Sequence, residues 1–172
     1  MSATFLISIL IAALMVGAAL RDLLVRRIPN GLSVGVALSG LTLRMLDGPM
    51  AALSSLAAAG LLFIVLFIAF ARGVLGGGDV KLATAMALGL PPEGVWLMVV
   101  ATALAGGVLS LVYLLLRWQA RRHAPFPSGS RHLIGRFLAV EGRRLRRRGP
   151  LPYGVAIAAG SIFTLASLPA VG

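Results

Sequence analysis

Residues 51–71 run for 21 positions without one charged side chain. Such a run is long enough to cross a hydrocarbon core, and in lipid its backbone N–H and C=O groups must be satisfied within the segment, which leaves the α-helix. Further apolar stretches lie at Thr4–Leu20, Gly31–Leu46, Val95–Leu116 and Leu151–Leu168. At 59% hydrophobic and 12% charged residues, the chain departs too far from soluble composition to be an ordinary aqueous domain. It reads as an all-α, polytopic membrane protein.

The net charge of +11 suggests nucleic acid until it is located along the chain. Ten of the sixteen basic residues, with one acid, Glu141, lie between Arg117 and Arg148. The excess is therefore one loop, and a loop of this kind orients a chain in a bilayer through the positive-inside rule. Arg21, Arg26 and Arg27 follow the first apolar run and no basic residue precedes it, the reverse of a secretory signal, so the N-terminus is expected outside and the first helix uncleaved.

The segment Val80–Leu90 before Pro91-Pro92 is 11 residues, about 16 Å of helix against a hydrocarbon core of about 30 Å. Omitting it would put the arginine-rich loop outside; counting it leaves fifteen of sixteen basic residues inside and only Arg44 outside. The expectation is about six transmembrane helices in one integral-membrane domain over 1–172, with a large basic cytoplasmic loop, 117–149, between helices 5 and 6. Small residues spaced by four, Gly31, Gly35 and Ser39, then Ala103 and Gly107, then Gly154 and Ala158, predict close helix packing. Within the loop, Leu133, Ile134, Phe137, Leu138 and Leu145 suit an interfacial amphipathic helix on an anionic leaflet, or a disordered segment that only sets topology. RNA binding ranks below both, because aromatic interleaving is missing; no nucleic-acid partner is expected.

A carboxylate inside a membrane bundle costs about 2.5–3.5 kcal/mol at mid-span, so each of the five acids needs a reason. Asp47 and Glu93 fall in short outer turns beside Gly and Pro and read as solvated turn residues. Glu141 sits among arginines as an ion-pair partner. Asp22 and Asp79 remain, both at cytoplasmic helix ends. Asp22 directly follows the first helix and precedes Arg26-Arg27-Ile28-Pro29-Asn30, where Pro29 keeps Ile28 out of helical geometry and Asn30 is placed to cap the next helix. Asp79 ends Gly76-Gly77-Gly78-Asp79 in the loop Gly73–Lys81, whose glycines let the backbone bend and another chain approach. Alone, each is more often a surface carboxylate or a cap. Together they suit aspartic proteolysis, because two close carboxylates share a proton: one activates water while the other polarises the scissile carbonyl. Lys81 either favours the ionised form of Asp79 or snorkels to headgroups and receives no catalytic role.

Other chemistries lack their residues. Cysteine is absent, which removes disulfides and thiolate chemistry. His123 and His132 have no metal-site spacing, Ser128-Gly129-Ser130 lies in the polar loop, and no phosphate-binding glycine loop ends in Lys-Ser or Lys-Thr.

The combination of Asp22, five intervening residues, Ile28-Pro29-Asn30 and Gly76-Gly77-Gly78-Asp79-Val80-Lys81-Leu82 resembles the type IV prepilin peptidases. Leu151-Pro152-Tyr153-Gly154-Val155-Ala156-Ile157 resembles the last-helix signature of their short CpaA/TadV-type subfamily, which serves Flp and tight-adherence pili. The resemblance implies a membrane aspartic endopeptidase of the GxGD type in the bacterial inner membrane. It would remove the basic leader of single-helix prepilins, after a glycine, at the cytoplasmic face. It maps catalysis onto Asp22 and Asp79, and substrate contact onto Gly76, Gly78, Pro152, Tyr153 and Gly154. Presenilin-like proteases share the GxGD element, but their other aspartate typically follows a tyrosine, and here Arg21 precedes Asp22. Longer relatives carry an N-terminal cytoplasmic region, often with paired cysteines, and N-methylate the mature pilin. With Asp22 so near the start and no cysteine, neither methyltransferase activity nor a metal or other cofactor is expected. The alternative class is a small multi-pass transporter or channel subunit using Asp22 and Asp79 as ion ligands; an inactive pilus-assembly scaffold is the third reading.

Overall fold

The computed structural model describes residues 2–122 and 152–168. Within them the chain is helical throughout: α1 (Ala3–Val25), α2 (Asn30–Leu46), α3 (Pro49–Ala71), α4 (Gly77–Ala87), α5 (Pro92–Arg122) and α6 (Tyr153–Ser167), with no strand among the described residues. Two compact units separate, Met1–Ala105 with Pro152–Gly172, and Gly106–Leu151. The core and the two aspartates belong to the first. Of the second, the described part is the continuation of α5, where Ser110 Oγ donates to the Gly106 carbonyl at 2.7 Å.

Local chemistry sets the helix ends. Ser2 caps α1, its hydroxyl accepting from the Phe5 N–H at 3.4 Å. At the far end Arg26 takes the left-handed conformation, φ 58°, and its N–H donates to the Asp22 carbonyl at 2.9 Å. That conformation is normally left to glycine or asparagine and costs an arginine about 1–2 kcal/mol. Pro49 begins α3 at the first helical position, after Gly48 at φ 115°. Gly73, at φ 73°, turns the chain out of α3.

Three helices, Ala3–Val25, Pro49–Ala71 and the Pro92–Leu116 portion of α5, are long and apolar enough to cross a bilayer. The fold is that of a membrane protein. α2 with 17 residues, α6 with 15 and α4 with 11 are shorter. The short α4 is packed by α2, α3 and α6, while α1 lies against α2 and α6. Val80, Leu82, Ala83, Ala85, Met86 and Ala87 are all buried, so α4 is covered around much of its circumference. A helix enclosed by protein need not match the thickness of the surrounding lipid. Ile11 and Met15 of α1, Val36 of α2, Met98 of α5 and Ile157 of α6 join this core.

Several boundaries differ from the sequence expectation. α1 continues through Arg21 and Asp22, so Asp22 lies in its last turn and not after it; two charges lower hydropathy without breaking a helix. Gly77, Gly78 and Asp79 form the first turn of α4, where a loop was expected. None of Gly76, Gly77 and Gly78 has positive φ; the turn that needs glycine is at Gly73. Residues 117–122, expected as the start of the basic loop, extend α5. Asn30 does not cap α2: Pro29 holds that position and no side chain bonds there. Asp47 is not simply solvated, since it pairs with Arg44, whose Nε also donates to Ser55 Oγ at 2.9 Å. That pairing gives the one basic residue assigned to the outer side a neutralising partner. Glu93 is exposed, as expected. The expectations for the amphipathic stripe 133–145, Glu141, both histidines and Ser128–Ser130 lie outside the described residues.

The small-residue pattern found only part of the packing. Gly35 meets Leu14, but a Cβ at Gly31 or Gly107 would meet nothing within 4 Å. The closest approaches are elsewhere: a Cβ on Gly40 would stand 2.8 Å from Cα of Gly89, and one on Gly160 would stand 2.6 Å from the Thr102 backbone nitrogen. Backbone atoms cannot move aside as a flexible side chain can. Gly40→Ala or Gly160→Val is therefore expected to destabilise the protein by about 1–3 kcal/mol, read as a lower unfolding midpoint in detergent. Gly60→Ala, with nothing within 4 Å, leaves the midpoint unchanged or slightly raised.

Candidate active site

Asp22 and Asp79 reach one end of the bundle on different helices. The Asp22 side chain is buried, and Asp79 is half-buried in the first turn of α4. They lie within coulombic reach of one another. The opposite end of α1 is about 30 Å away by helical rise. There a cavity of about 580 Å³ is lined by Ser2, Arg44, Asp47, Leu90 and Leu168 among others, and neither Asp22 nor Asp79 contributes to it.

Each carboxylate is held by the N-terminus of a helix. Asp79 occupies the third position of α4, after the N-cap Gly76, and its side chain accepts from the Gly76 backbone N–H. This is one half of a capping box; Gly76 has no side chain to supply the other half. Its lack of a side chain matters for space, because a Cβ there would lie 2.9 Å from Asp79 Oδ2.

Asp22 is held across a much longer stretch of chain. The Gly154 N–H donates to its Oδ2 at 2.8 Å in a buried bond. Gly154 is the second residue of α6, whose N-cap, the buried Pro152, offers no side-chain hydrogen bond. Asp22 thus serves as a cap supplied from another helix, and the partial positive charge at the α6 N-terminus faces the carboxylate. That is favourable, since Asp22 otherwise stands near the negative C-terminal end of its own helix. A Cβ at Gly154 would lie 2.9 Å from both Cβ and Oδ2 of Asp22. Glycine is required by this approach, not by backbone conformation.

The other expected site residues fall nearby. Tyr153, at 40% exposure, precedes Gly154 at the start of α6. Gly78 faces Ile28, 3.5 Å from where its Cβ would be, so the Ile28-Pro29-Asn30 segment packs on the glycine turn that precedes Asp79. Lys81 reinforces that junction, its Nζ donating to Asn30 Oδ1 at 3.3 Å. Neither the Lys81–Asn30 link nor the left-handed Arg26, within coulombic reach of Asp22, was singled out from sequence. The signal available for the first was Asn30 lacking a helix to cap once Pro29 occupies the N-cap position. Among the described residues, no group of three or more His, Cys, Asp or Glu is arranged to hold a metal ion.

Two carboxylates on separate helices, gathered at one end beside a tyrosine and backed by helix N-termini, suit acid–base chemistry on one water. Comparison with curated proteins and with solved structures finds no match. Residues 6–111, a stretch that includes both Asp22 and Asp79, match the type IV leader peptidase family. This match covers more than half of the 172 residues, and the chain belongs to the type IV leader peptidase family.

Proposed function

We propose that this protein is an aspartic endopeptidase of the GxGD type that removes the leader from type IV prepilins of the Flp or tight-adherence kind. Cleavage takes place at the cytoplasmic face of the bacterial inner membrane. The observation that carries the reading is the meeting of Asp22 and Asp79, from helices far apart in sequence, within coulombic reach at one end of the bundle. Family membership supplies the peptidase class.

In the proposed reaction the pair holds one proton. The ionised carboxylate takes a proton from water as its oxygen attacks the scissile carbonyl carbon, and the protonated carboxyl donates to the carbonyl oxygen. Collapse of the tetrahedral intermediate breaks the C–N bond: the carboxyl that took the proton from water gives it to the departing amine, and the other carboxylate recovers its proton from the intermediate's hydroxyl. The new carboxyl terminus leaves with the leader, and the new amine belongs to the mature pilin. Gly154 and Gly76 keep the two carboxylates in place, and Pro152 and Tyr153 border the space the substrate enters. No metal, cofactor or methyl transfer enters this scheme.

Co-expression with a cognate prepilin tests it. Asp22→Asn and Asp79→Asn each abolish leader removal on a gel while the protein stays in the membrane fraction; processing by either variant contradicts the pair. Gly154→Ala, which forces Asp22 off its donor, is expected to lower the cleavage rate by about 10²-fold, within the usual contribution of one acid–base group. A metal chelator leaves the cleavage rate unchanged.

A further inference from the structure

The exposed side of α3 carries a second pattern. Leu53, Leu56, Gly60, Phe63, Phe67 and Phe70 follow one another at alternating spacings of three and four, the seam by which one helix receives another. All six are exposed, Leu53 at 59% and Phe67 at 50%. Gly60 opens a notch in mid-seam, with nothing within 4 Å of the place a Cβ would take. An open glycine on a membrane helix lets a second backbone come close. The other seam of α3, Ala52, Ser55 and Ala59, is already buried in the bundle.

The three aromatic rings are arranged against one another. Phe63 and Phe67 have ring centroids 5.6 Å apart, and Phe67 and Phe70 are 6.2 Å apart, both tilted. Mutual packing reduces the freedom each ring would lose when a partner settles on it. The ladder also has a defined end: the Phe70 ring lies 3.3 Å from where a Cβ on Gly77 would be, two residues before Asp79. Elsewhere the exposed surface of α3 is aliphatic, as at Leu61 and Val65, and suits lipid. The seam spans about 26 Å by helical rise, close to one membrane crossing.

We propose that this seam receives the apolar helix of the substrate and delivers its cytoplasmic end to Asp79. The proposal rests on the peptidase reading, whose substrate has one apolar helix adjoining the cleaved leader. A substrate of that form must keep its helix in the bilayer while the scissile bond reaches the carboxylates. A lipid-facing track that ends on the glycine turn at Asp79 meets both demands at once.

Docking and cleavage are read separately. In the Asp79→Asn variant, a benzophenone photo-cross-linker at position 67 is expected to capture a co-expressed prepilin with a basic leader and one apolar helix, and the same probe at position 61 is not. With otherwise unaltered enzyme, Phe63→Ala combined with Phe67→Ala raises KM for that prepilin by about tenfold or more at unchanged kcat. Cleavage of a truncated peptide, containing the leader and the first mature residues but no apolar helix, is unaffected. Capture of a second copy of this chain or of lipid alone, an unchanged KM, or equal impairment with both substrates overturns the proposal. If position 67 captures the prepilin but the unaltered enzyme cleaves neither substrate, the docking stands and the peptidase reading fails.

Discussion

The hydrogen bond from the Gly154 N–H to Asp22 Oδ2 joins residues 132 positions apart and closes the candidate site. It satisfies a backbone donor at the start of α6, and it gives a buried carboxylate the donor and positive helix end that burial demands. Each side therefore depends on the other. Without the carboxylate, α6 begins with an N-cap proline and no side-chain cap; without α6, Asp22 is left near the negative end of its own helix. The extensive packing of α1 on α6 keeps these two groups at bonding distance.

Asp79 is solved differently. It lies on the helix whose N-terminus holds it, and its glycine neighbours leave room for the carboxylate itself, for Phe70 and for Ile28. The three glycines thus admit three different neighbours, one at each position. The short α4 brings this turn into the bundle because protein, not lipid, covers its apolar residues. Together the two arrangements bring a carboxylate on α1 within coulombic reach of another on α4. The aromatic ladder of α3 ends beside the second, so the route proposed for the substrate and the chemistry proposed for it share a single turn of chain.

Much of this was readable from the residues. Continuous apolar runs dictate the helical class, and the scarcity of acids isolates Asp22 and Asp79 as candidates from the residues alone. What escaped were contacts that depend on another helix. A hydropathy profile falls at Arg21 and Asp22, yet α1 continues through both. Glycine-rich sequence suggested a flexible loop at 76–78, whereas Asp79 at the third helical position stabilises the start of a helix there. The four-residue spacing selected Gly35 and Gly154, which are closely approached, along with Gly31 and Gly107, which are open, and it missed Gly40, Gly89 and Gly160, which stand against the backbone of other segments or, for Gly160, against the whole of Thr102. Periodicity identifies a face; it does not identify what lies against that face.

In the proposed reaction Asp22 and Asp79 act as one unit on one water. Single-turnover cleavage of a prepilin by purified Asp22→Asn, Asp79→Asn and the combined variant tests it most directly. Groups that act together lose most of their effect when either is removed, so the combined variant should retain about the same residual rate as the slower single variant. Losses that multiply across the two positions would show independent contributions and contradict the paired mechanism.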